Sequence, residues 1–269
     1  MPKTKIVLLA RDCDSTAIVY NSLIKHTEID FVIYEKAIAR KKQFLNRTRL
    51  LGFFSAVGQV GFMLFIFPFI KLFSQKRKKE IYKQYHLDET PLPEERIIRV
   101  KTLNSEDSRK LLLQLDPDLV LVNGTRIISK KTLECIKAPF INIHTGITPA
   151  FRGVHGGYWA VAKAKKDLFG TTIHYVDTGV DTGGIIEQTF IVPGKKDNFY
   201  TYPYLQYAAV LPVLQQVVLS FEPSQRPLVK QPVTTESALW FHPTLWQWIK
   251  NLDRTFAIGL LFSGIQCFS

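Results

Sequence analysis

Three side chains in one stretch of the sequence have the types and the spacing to carry out chemistry together. Asn142 and His144 lie two residues apart in the apolar run from Phe140 to His144, and Asp181 lies in a glycine-rich segment after a later apolar run. Successive side chains of a strand point to opposite faces, so Asn142 and His144 are predicted to project to the same side. Both come at the end of a strand, where open α/β sheets bind their ligands.

An amide, an imidazole and a carboxylate that meet at one sheet edge suit the direct transfer of an acyl group to an amine. The His and the Asn would stabilise the developing oxyanion, and the Asp would help to collect the amine proton. This interpretation requires the two apolar runs to form neighbouring strands. No Ser or Cys of the stretch lies in a recognisable nucleophile motif, and no spacing of His, Cys and Asp predicts a metal site.

Other polar residues of the same stretch have two interpretations each. His174 lies in the middle of the second apolar run and is either a core histidine with satisfied hydrogen bonds or a pocket residue. His155 either lines the site of the acceptor or is structural. Arg152 either clamps an anion or braces the loop that contains it.

The ordered combination of these residues resembles a known family. Asn142-x-His144, Pro149, Arg152-Gly153 and Asp181 within Val-Asp-Thr-Gly-Val-Asp-Thr-Gly-Gly are similar to the catalytic domain of the 10-formyltetrahydrofolate-dependent formyltransferases. That family includes the glycinamide ribonucleotide, methionyl-tRNA and sugar-nucleotide N-formyltransferases. The likeness covers roughly residues 100–220, and the ordered set is far more specific than any single piece of it.

The resemblance implies 10-formyltetrahydrofolate as the formyl donor and assigns site residues. It implies a catalytic set of Asn142, His144 and Asp181. It implies two folate-contacting segments, the second acting largely through its backbone: Arg126, Ile127 and Ile128, then Val176, Thr178 and Gly179. This sequence departs from the family at Gly146, where many members carry a Ser, so we expect a missing hydroxyl contact and an altered substrate preference.

Composition limits the protein class and its partners. The chain has 269 residues, a formal net charge of +12, and three widely spaced cysteines that form neither a metal pattern nor a disulfide framework. A reducing cytoplasm is the natural compartment. The N-terminal apolar run is too short for a signal peptide and predicts a first strand. The charge favours an anionic partner, and no module for nucleic-acid binding is recognised.

The pattern of apolar runs predicts an α/β fold with a Rossmann-like, mostly parallel sheet. Strands are predicted at 5–10, 30–35, 96–100, 119–122, 140–144, 171–176 and 185–192. Helices are predicted at 15–26, 104–115, 132–137, 154–166, 200–219 and 244–256. We expect a catalytic domain at 1–220 with an insertion at about 40–85, and a C-terminal extension at 221–269, which is apolar from 256 to 268.

Residues 51–70 contain no charged side chain and have basic residues on both sides. Three interpretations stay open. The segment is an insertion helix packed on the domain or on a second subunit, an interfacial helix against anionic lipid, or a transmembrane span. A span would separate strands of one sheet across the membrane. The second interpretation adds a peripheral location on the inner membrane surface, and homodimer formation also stays open.

The acceptor is inferred by elimination. The loop after the first strand, Arg11 to Ser15, lacks the glycine-rich phosphate cradle that a glycinamide ribonucleotide enzyme carries there. The C-terminal extension is too short for the barrel of the methionyl-tRNA enzymes. We therefore expect an amino sugar, nucleotide-linked and used for a surface glycan. The alternatives are an enzyme acting on one of those two other acceptors, and a catalytically silent, membrane-associated scaffold.

Overall fold

The computed structural model describes residues 4–255, so the apolar end predicted at 256–268 lies outside the described residues. The strands are β1 (Ile6–Ala10), β2 (Phe31–Glu35), β3 (Ile97–Val100), β4 (Leu119–Asn123), β5 (Phe140–His144), β6 (Arg152–Gly153), β7 (Gly170–Tyr175), β8 (Ile185–Phe190) and β9 (Leu239–Trp240).

The helices alternate with these strands along most of the chain. They are α1 (Asp14–Leu23), α2 (Arg40–Leu51), α3 (Phe53–Gly61), α4 (Phe67–Phe73), α5 (Gln75–Tyr85), α6 (Glu106–Leu115), α7 (Lys130–Leu133), α8 (Gly156–Ala162), α9 (Tyr202–Leu219), α10 (Leu245–Lys250) and α11 (Leu252–Thr255). A π-helical turn, Phe62–Ile66, joins α3 to α4.

The central sheet has the order β3-β2-β1-β4-β5-β7-β8. The first five strands in this order are parallel, whereas β7 pairs antiparallel with β5 and with β8. Strands β1 and β4 are buried along their whole length, as expected for parallel strands covered by helices on both faces. The predicted α/β fold with a mostly parallel sheet is confirmed.

Several helix ends differ from the sequence prediction. Helix α1 spans Asp14–Leu23, so it ends before the predicted end at residue 26, and its N-cap residue, Cys13, makes no side-chain capping hydrogen bond. Helix α8 begins only at Gly156, because His155 has a left-handed φ of 58° that a helix cannot continue through. Helix α6 lies within the predicted range 104–115 and begins after Ser105, whose side chain caps it by accepting a hydrogen bond from the Ser108 amide.

Helices α2 to α5 occupy the connection between β2 and β3, where the sequence predicts an insertion. Their continuous apolar part, Phe53–Phe73, is long and apolar enough to cross a membrane by length and composition, and 28% of its most apolar window is buried in the protein. We call Phe53–Phe73 the insertion helix. Its buried side carries Gln59, whose Nε2 donates to the His242 carbonyl at 2.7 Å, and Phe62, which packs on Phe199 and His242.

An ion pair fixes α5 to the catalytic part of the chain. The Arg77 guanidinium donates to both carboxylate oxygens of Asp197, at 2.7 and 3.2 Å, and the Asp197 side chain is only 1% exposed. Nearby, Lys78 bridges Asp14 and Glu89 at 2.9 and 2.7 Å. These contacts are independent of the apolar side of the insertion helix.

Residues after α9 return to the catalytic region. Strand β9 pairs in parallel with β6, so that Leu239 lies opposite Arg152 and Trp240 opposite Gly153. The Trp240 ring stacks on Trp159 with 4.6 Å between centroids, and its Nε1 donates to the Ala150 carbonyl at 2.9 Å. The first part of the C-terminal extension therefore buttresses the loop that follows β5.

We expect Arg77→Met to lower the free energy of unfolding by about 3 kcal/mol, because it leaves a buried Asp197 carboxylate without its cation. Urea unfolding followed by circular dichroism measures this. The matched control is Lys76→Met on the neighbouring exposed position, which should change stability by at most about 0.5 kcal/mol. Equal losses in the two variants would show that the ion pair does not hold the insertion.

Candidate active site

The pairing of β5 with β7 places the predicted catalytic residues. Asn142 lies opposite His174, and His144 lies opposite Thr172. Along β5 the side chains of Ile141 and Ile143 enter one apolar cluster, so Asn142 and His144 project together to the other face, as predicted. The segment from Asp177 to Gly184 connects β7 to β8 and brings Asp181 back to that face.

The Asp181 carboxylate is the centre of the site. Its Oδ1 lies 3.3 Å from Asn142 Nδ2 and 3.5 Å from His174 Nε2. Its Oδ2 lies 3.4 Å from His144 Nδ1 and accepts a hydrogen bond of 2.8 Å from the Gly153 amide. The structure therefore brings Asn142, His144 and Asp181 together, and it adds His174 to them.

The loop that carries Asp181 is shaped by its own side chains. Asp177 accepts hydrogen bonds from the Gly179 amide and from the Thr182 hydroxyl, at 3.0 and 2.7 Å. Asp181 itself has a left-handed φ of 50°, a conformation that Asp tolerates better than most residues. Arg152 Nη1 donates to the Val180 carbonyl at 3.3 Å, which favours its loop-bracing interpretation.

Both nitrogens of His144 face protein groups. Nε2 donates to the Phe151 carbonyl at 2.7 Å, which leaves Nδ1 as the acceptor nitrogen of a neutral ring facing Asp181. Burial lowers the pKa of His144, and the attraction of Asp181 only partly offsets this. A neutral imidazole beside a carboxylate is ready to take up a proton, because the carboxylate would stabilise the resulting imidazolium.

The Asp181 carboxyl is held ionised. Burial alone would raise its pKa, but the neighbouring His144 and His174 and the hydrogen bond from the Gly153 amide together lower that pKa to about 2. A buried carboxylate needs such compensation, because its desolvation is costly. The site therefore contains one fixed negative charge at neutral pH.

Gly146 has no room for a side chain. A Cβ atom there would lie 2.4 Å from the Phe151 carbonyl oxygen and 2.6 Å from His144 Nε2. A Ser at this position would collide with the imidazole and with the carbonyl that it contacts. The departure from the family pattern is therefore more than a missing hydroxyl, because it allows the close contact between His144 and Phe151.

His174 is the residue whose place in the site the sequence left open. It is buried, its Nδ1 donates to the Tyr175 carbonyl at 2.7 Å, and its Nε2 lies 3.1 Å from Asn142 Nδ2. The signal that would have identified it is the register of β5 and β7, which follows from their antiparallel pairing. His155, by contrast, packs on Phe199 and His242, with ring centroids 4.5 and 4.7 Å away.

The first folate-contacting segment that the resemblance implies follows β4. Arg126 forms an ion pair with Glu35 at 2.7 Å and donates to the Lys101 carbonyl at 2.7 Å. The Ile127 side chain is 62% exposed, whereas Ile128 is buried in the apolar cluster that contains Phe140. Ile127 is thus the member of this segment whose apolar surface is open to a ligand.

The second implied segment leaves β7. The Val176 amide donates to the Phe140 carbonyl at 2.8 Å, and its side chain packs on the same cluster as Ile128. Thr178 and Gly179 are exposed in the loop before Asp181. Both segments therefore adjoin the face of the sheet to which Asn142 and His144 project. Within residues 4–255, no group of three or more His, Cys, Asp or Glu side chains has an arrangement that could hold a metal ion.

Comparisons with known proteins point to one family. A family model described as formyl transferase matches residues 69–197. GDP-perosamine N-formyltransferase from Brucella melitensis is 27% identical over 120 residues, which cover 44% of this chain and 46% of that protein. Phosphoribosylglycinamide formyltransferase from Mycobacterium tuberculosis is 40% identical over 74 residues, which cover 27% of this chain and 34% of that protein. The chain thus matches less than half of the length of these relatives.

A solved structure agrees with this likeness at the level of the fold. The sugar N-formyltransferase from a Shewanella species superimposes with a TM-score of 0.56 and 13% identity, covering 93% of this chain and 87% of that one. At this identity the comparison concerns the fold alone.

The low pKa of Asp181 predicts acid sensitivity. Its folded-state pKa of about 2 lies below the usual 3.8, so the ionised carboxylate contributes stability that is present above pH 4 and is lost as the pH falls towards 2. The expected contribution is about 2 kcal/mol. Urea unfolding at a series of pH values measures it. In Asp181→Asn, the free energy of unfolding should fall less as the pH decreases from 4 towards 2. The exposed control Asp167→Asn should show the same pH dependence as the wild type.

The crowding at Gly146 predicts a loss of stability on adding one methyl group. We expect Gly146→Ala to destabilise the protein by about 2 kcal/mol, because the new Cβ overlaps His144 and the Phe151 carbonyl. Gly61→Ala is the matched control, since its Cβ would meet nothing closer than 3.7 Å. Thermal unfolding compares the two variants, and a tolerated Gly146→Ala would contradict the collision.

Proposed function

Since the chain belongs to the formyltransferase family, we propose that it transfers a formyl group from 10-formyltetrahydrofolate to the amine of a nucleotide-linked amino sugar, for a surface glycan. The observation that carries this proposal is the meeting of Asn142 and His144 on Asp181, at 3.3 and 3.4 Å. The amide, imidazole and carboxylate form a site that needs no nucleophilic side chain of its own.

Each side chain of the set has a distinct role in the proposed reaction. The acceptor amine attacks the formyl carbon, and the Asn142 amide donates to the oxyanion that forms. His144 joins it as a second donor when its Nε2–H leaves the Phe151 carbonyl, to which it donates at 2.7 Å. Both N–H groups of Asn142 already make contacts of 3.1 and 3.3 Å, and the substrate oxygen replaces one of them. Asp181 orients His144, and this pair takes up the amine proton and returns it to the folate nitrogen. The bond between that nitrogen and the formyl carbon then breaks, and tetrahydrofolate leaves. Holding amine and formyl carbon together supplies much of the remaining acceleration.

The residues present fit a folate donor. Ile127 offers an exposed apolar surface, and Val176 lies at the start of an exposed loop that ends at Asp181. The Arg126 guanidinium is held in an ion pair with Glu35, so Arg126 contacts the folate through its backbone in the proposed complex. In the proposed complex, the segments Arg126 to Ile128 and Val176 to Gly179 hold the pteridine and direct the formyl group towards Asn142.

Two observations support an amino-sugar acceptor. The loop after β1 is acidic, and its Asp14 carboxylate binds Lys78 and Tyr204, which disfavours a phosphate there and hence a glycinamide ribonucleotide. The Brucella relative is named GDP-perosamine N-formyltransferase, and its acceptor is thus a nucleotide-linked amino sugar.

The cysteines Cys13 and Cys135 are free, which agrees with a reducing cytoplasm as the site of the reaction.

Transfer of labelled formyl from 10-formyltetrahydrofolate to a panel of amino-sugar nucleotides tests the proposal. We expect turnover on one or a few members of the panel. His144→Ala should lower kcat by about 10²- to 10⁴-fold, because the oxyanion and the amine proton lose their partner. His86→Ala is the control, since this His is exposed at the end of α5.

The outcomes separate the parts of the proposal. Folate binding without transfer to any sugar would overturn the acceptor, and glycinamide ribonucleotide and methionyl-tRNA would then be tested. Equal activity of His144→Ala and the wild type would overturn the assigned residue. Absence of folate binding would overturn the enzymatic function and favour a scaffold.

A further inference from the structure

The insertion helix exposes a continuous apolar face. Phe53 and Val57 in α3, Leu64 in the π-helical turn, and Pro68 and Leu72 in α4 are exposed. Phe54 is 84% exposed and Leu72 65%, and further large apolar residues of the insertion helix are exposed: Phe65, Phe69 and Phe73. Exposed contiguous apolar surface of this kind marks a binding surface. We call it the apolar face.

A neighbouring helix extends the apolar face. On α10, Trp246 is 63% and Ile249 is 50% exposed. Trp246 lies beside the insertion helix, since its Nε1 would be 3.3 Å from a Cβ at Gly58. Tryptophan is favoured where an apolar environment meets water, because its ring is apolar and its N–H can donate.

The charge around the apolar face has one sign. The sequence from Lys36 to Lys79 contains eleven Lys or Arg residues and no Asp or Glu. Arg77 and Lys78 are used in ion pairs with carboxylates of the catalytic region. The basic residues of this range that are exposed to solvent are Lys36, Arg40, Lys41, Lys42, Arg49, Lys71, Lys76 and Lys79. This combination of an apolar strip and a basic border matches an anionic surface with an apolar interior.

We propose that the apolar face binds an anionic lipid bilayer, with the insertion helix lying in the plane of the headgroups. The aromatic and Leu side chains enter the boundary of the acyl chains, and the basic border contacts the headgroups. Lys71 lies near the end of the helix, where a long basic side chain can reach the headgroups. This surface is independent of the acceptor proposed above.

The structure disfavours the two other occupants. A symmetric contact between two copies would bring the same basic borders together, and like charges repel. A membrane-spanning orientation would remove the buried side of the helix from the protein. Gln59 would then lose its hydrogen bond with the His242 carbonyl, and Phe62 its contact with Phe199.

Vesicle sedimentation with the purified full-length chain tests the proposal. The probes are vesicles of phosphatidylcholine alone and vesicles in which about a third of the lipid is phosphatidylglycerol, which is anionic. We expect binding to the anionic vesicles, at least tenfold weaker binding to the neutral ones, and further weakening as the salt concentration rises.

Paired variants separate the apolar and the basic contributions. Phe54→Ser/Phe65→Ser should weaken binding to anionic vesicles by at least tenfold, while Leu113→Ser/Leu228→Ser, which are exposed outside the apolar face, should bind like the wild type. Lys41→Glu/Lys42→Glu should weaken binding more than Lys110→Glu/Lys131→Glu, which changes the net charge equally at exposed positions outside the insertion. All variants should retain the circular dichroism spectrum of the wild type.

Four results would overturn the proposal. One is failure of the wild type to bind anionic vesicles at low salt. Another is equal weakening by the test and control variants, which would indicate charge attraction without a defined surface. The third is that the protein stays in membranes isolated from cells after extraction with alkaline carbonate, which would indicate a span. Dimers that dissociate on Phe54→Ser/Phe65→Ser, without any vesicle binding, would assign the face to a second copy.

Discussion

A carboxylate removed from water is stable only where donors or cations replace its hydration, and Asp181 meets this condition through groups from separate parts of the chain. Asn142 and His144 come from β5, His174 from β7, and the Gly153 amide from β6. Because these contacts come from three different strands, the carboxylate ties together the positions of the side chains around it. The left-handed conformation of Asp181 is one cost of this arrangement.

Much of the sheet could be predicted from the sequence because its inner strands are short runs of apolar residues. β1 and β4 are buried on both faces, so their sequences show no alternation and leave little doubt about the element. The helix ends were harder to predict. His155 interrupts the pattern of α8 by adopting a backbone conformation that depends on the loop before it and on no local propensity.

The candidate site was partly predictable for a related reason. Asn142 and His144 share a face by strand geometry, and Asp181 follows from the family pattern. The role of His174 depends on the register between β5 and β7, which no spacing along the sequence reveals. The same is true of Gly146, whose importance comes from the Phe151 carbonyl folding back onto His144. The insertion helix combines a buried and an exposed side, and composition alone cannot distinguish them.

The pairing of β6 with β9 connects the insertion helix to the candidate active site through a short series of contacts made by backbone groups. Gln59 holds the His242 carbonyl, Trp240 lies two residues earlier in register with Gly153, and the Gly153 amide holds Asp181. The position of that amide is thus tied to the position of the insertion helix. A displacement of this helix would therefore change the hydrogen bond between the Gly153 amide and the Asp181 carboxylate.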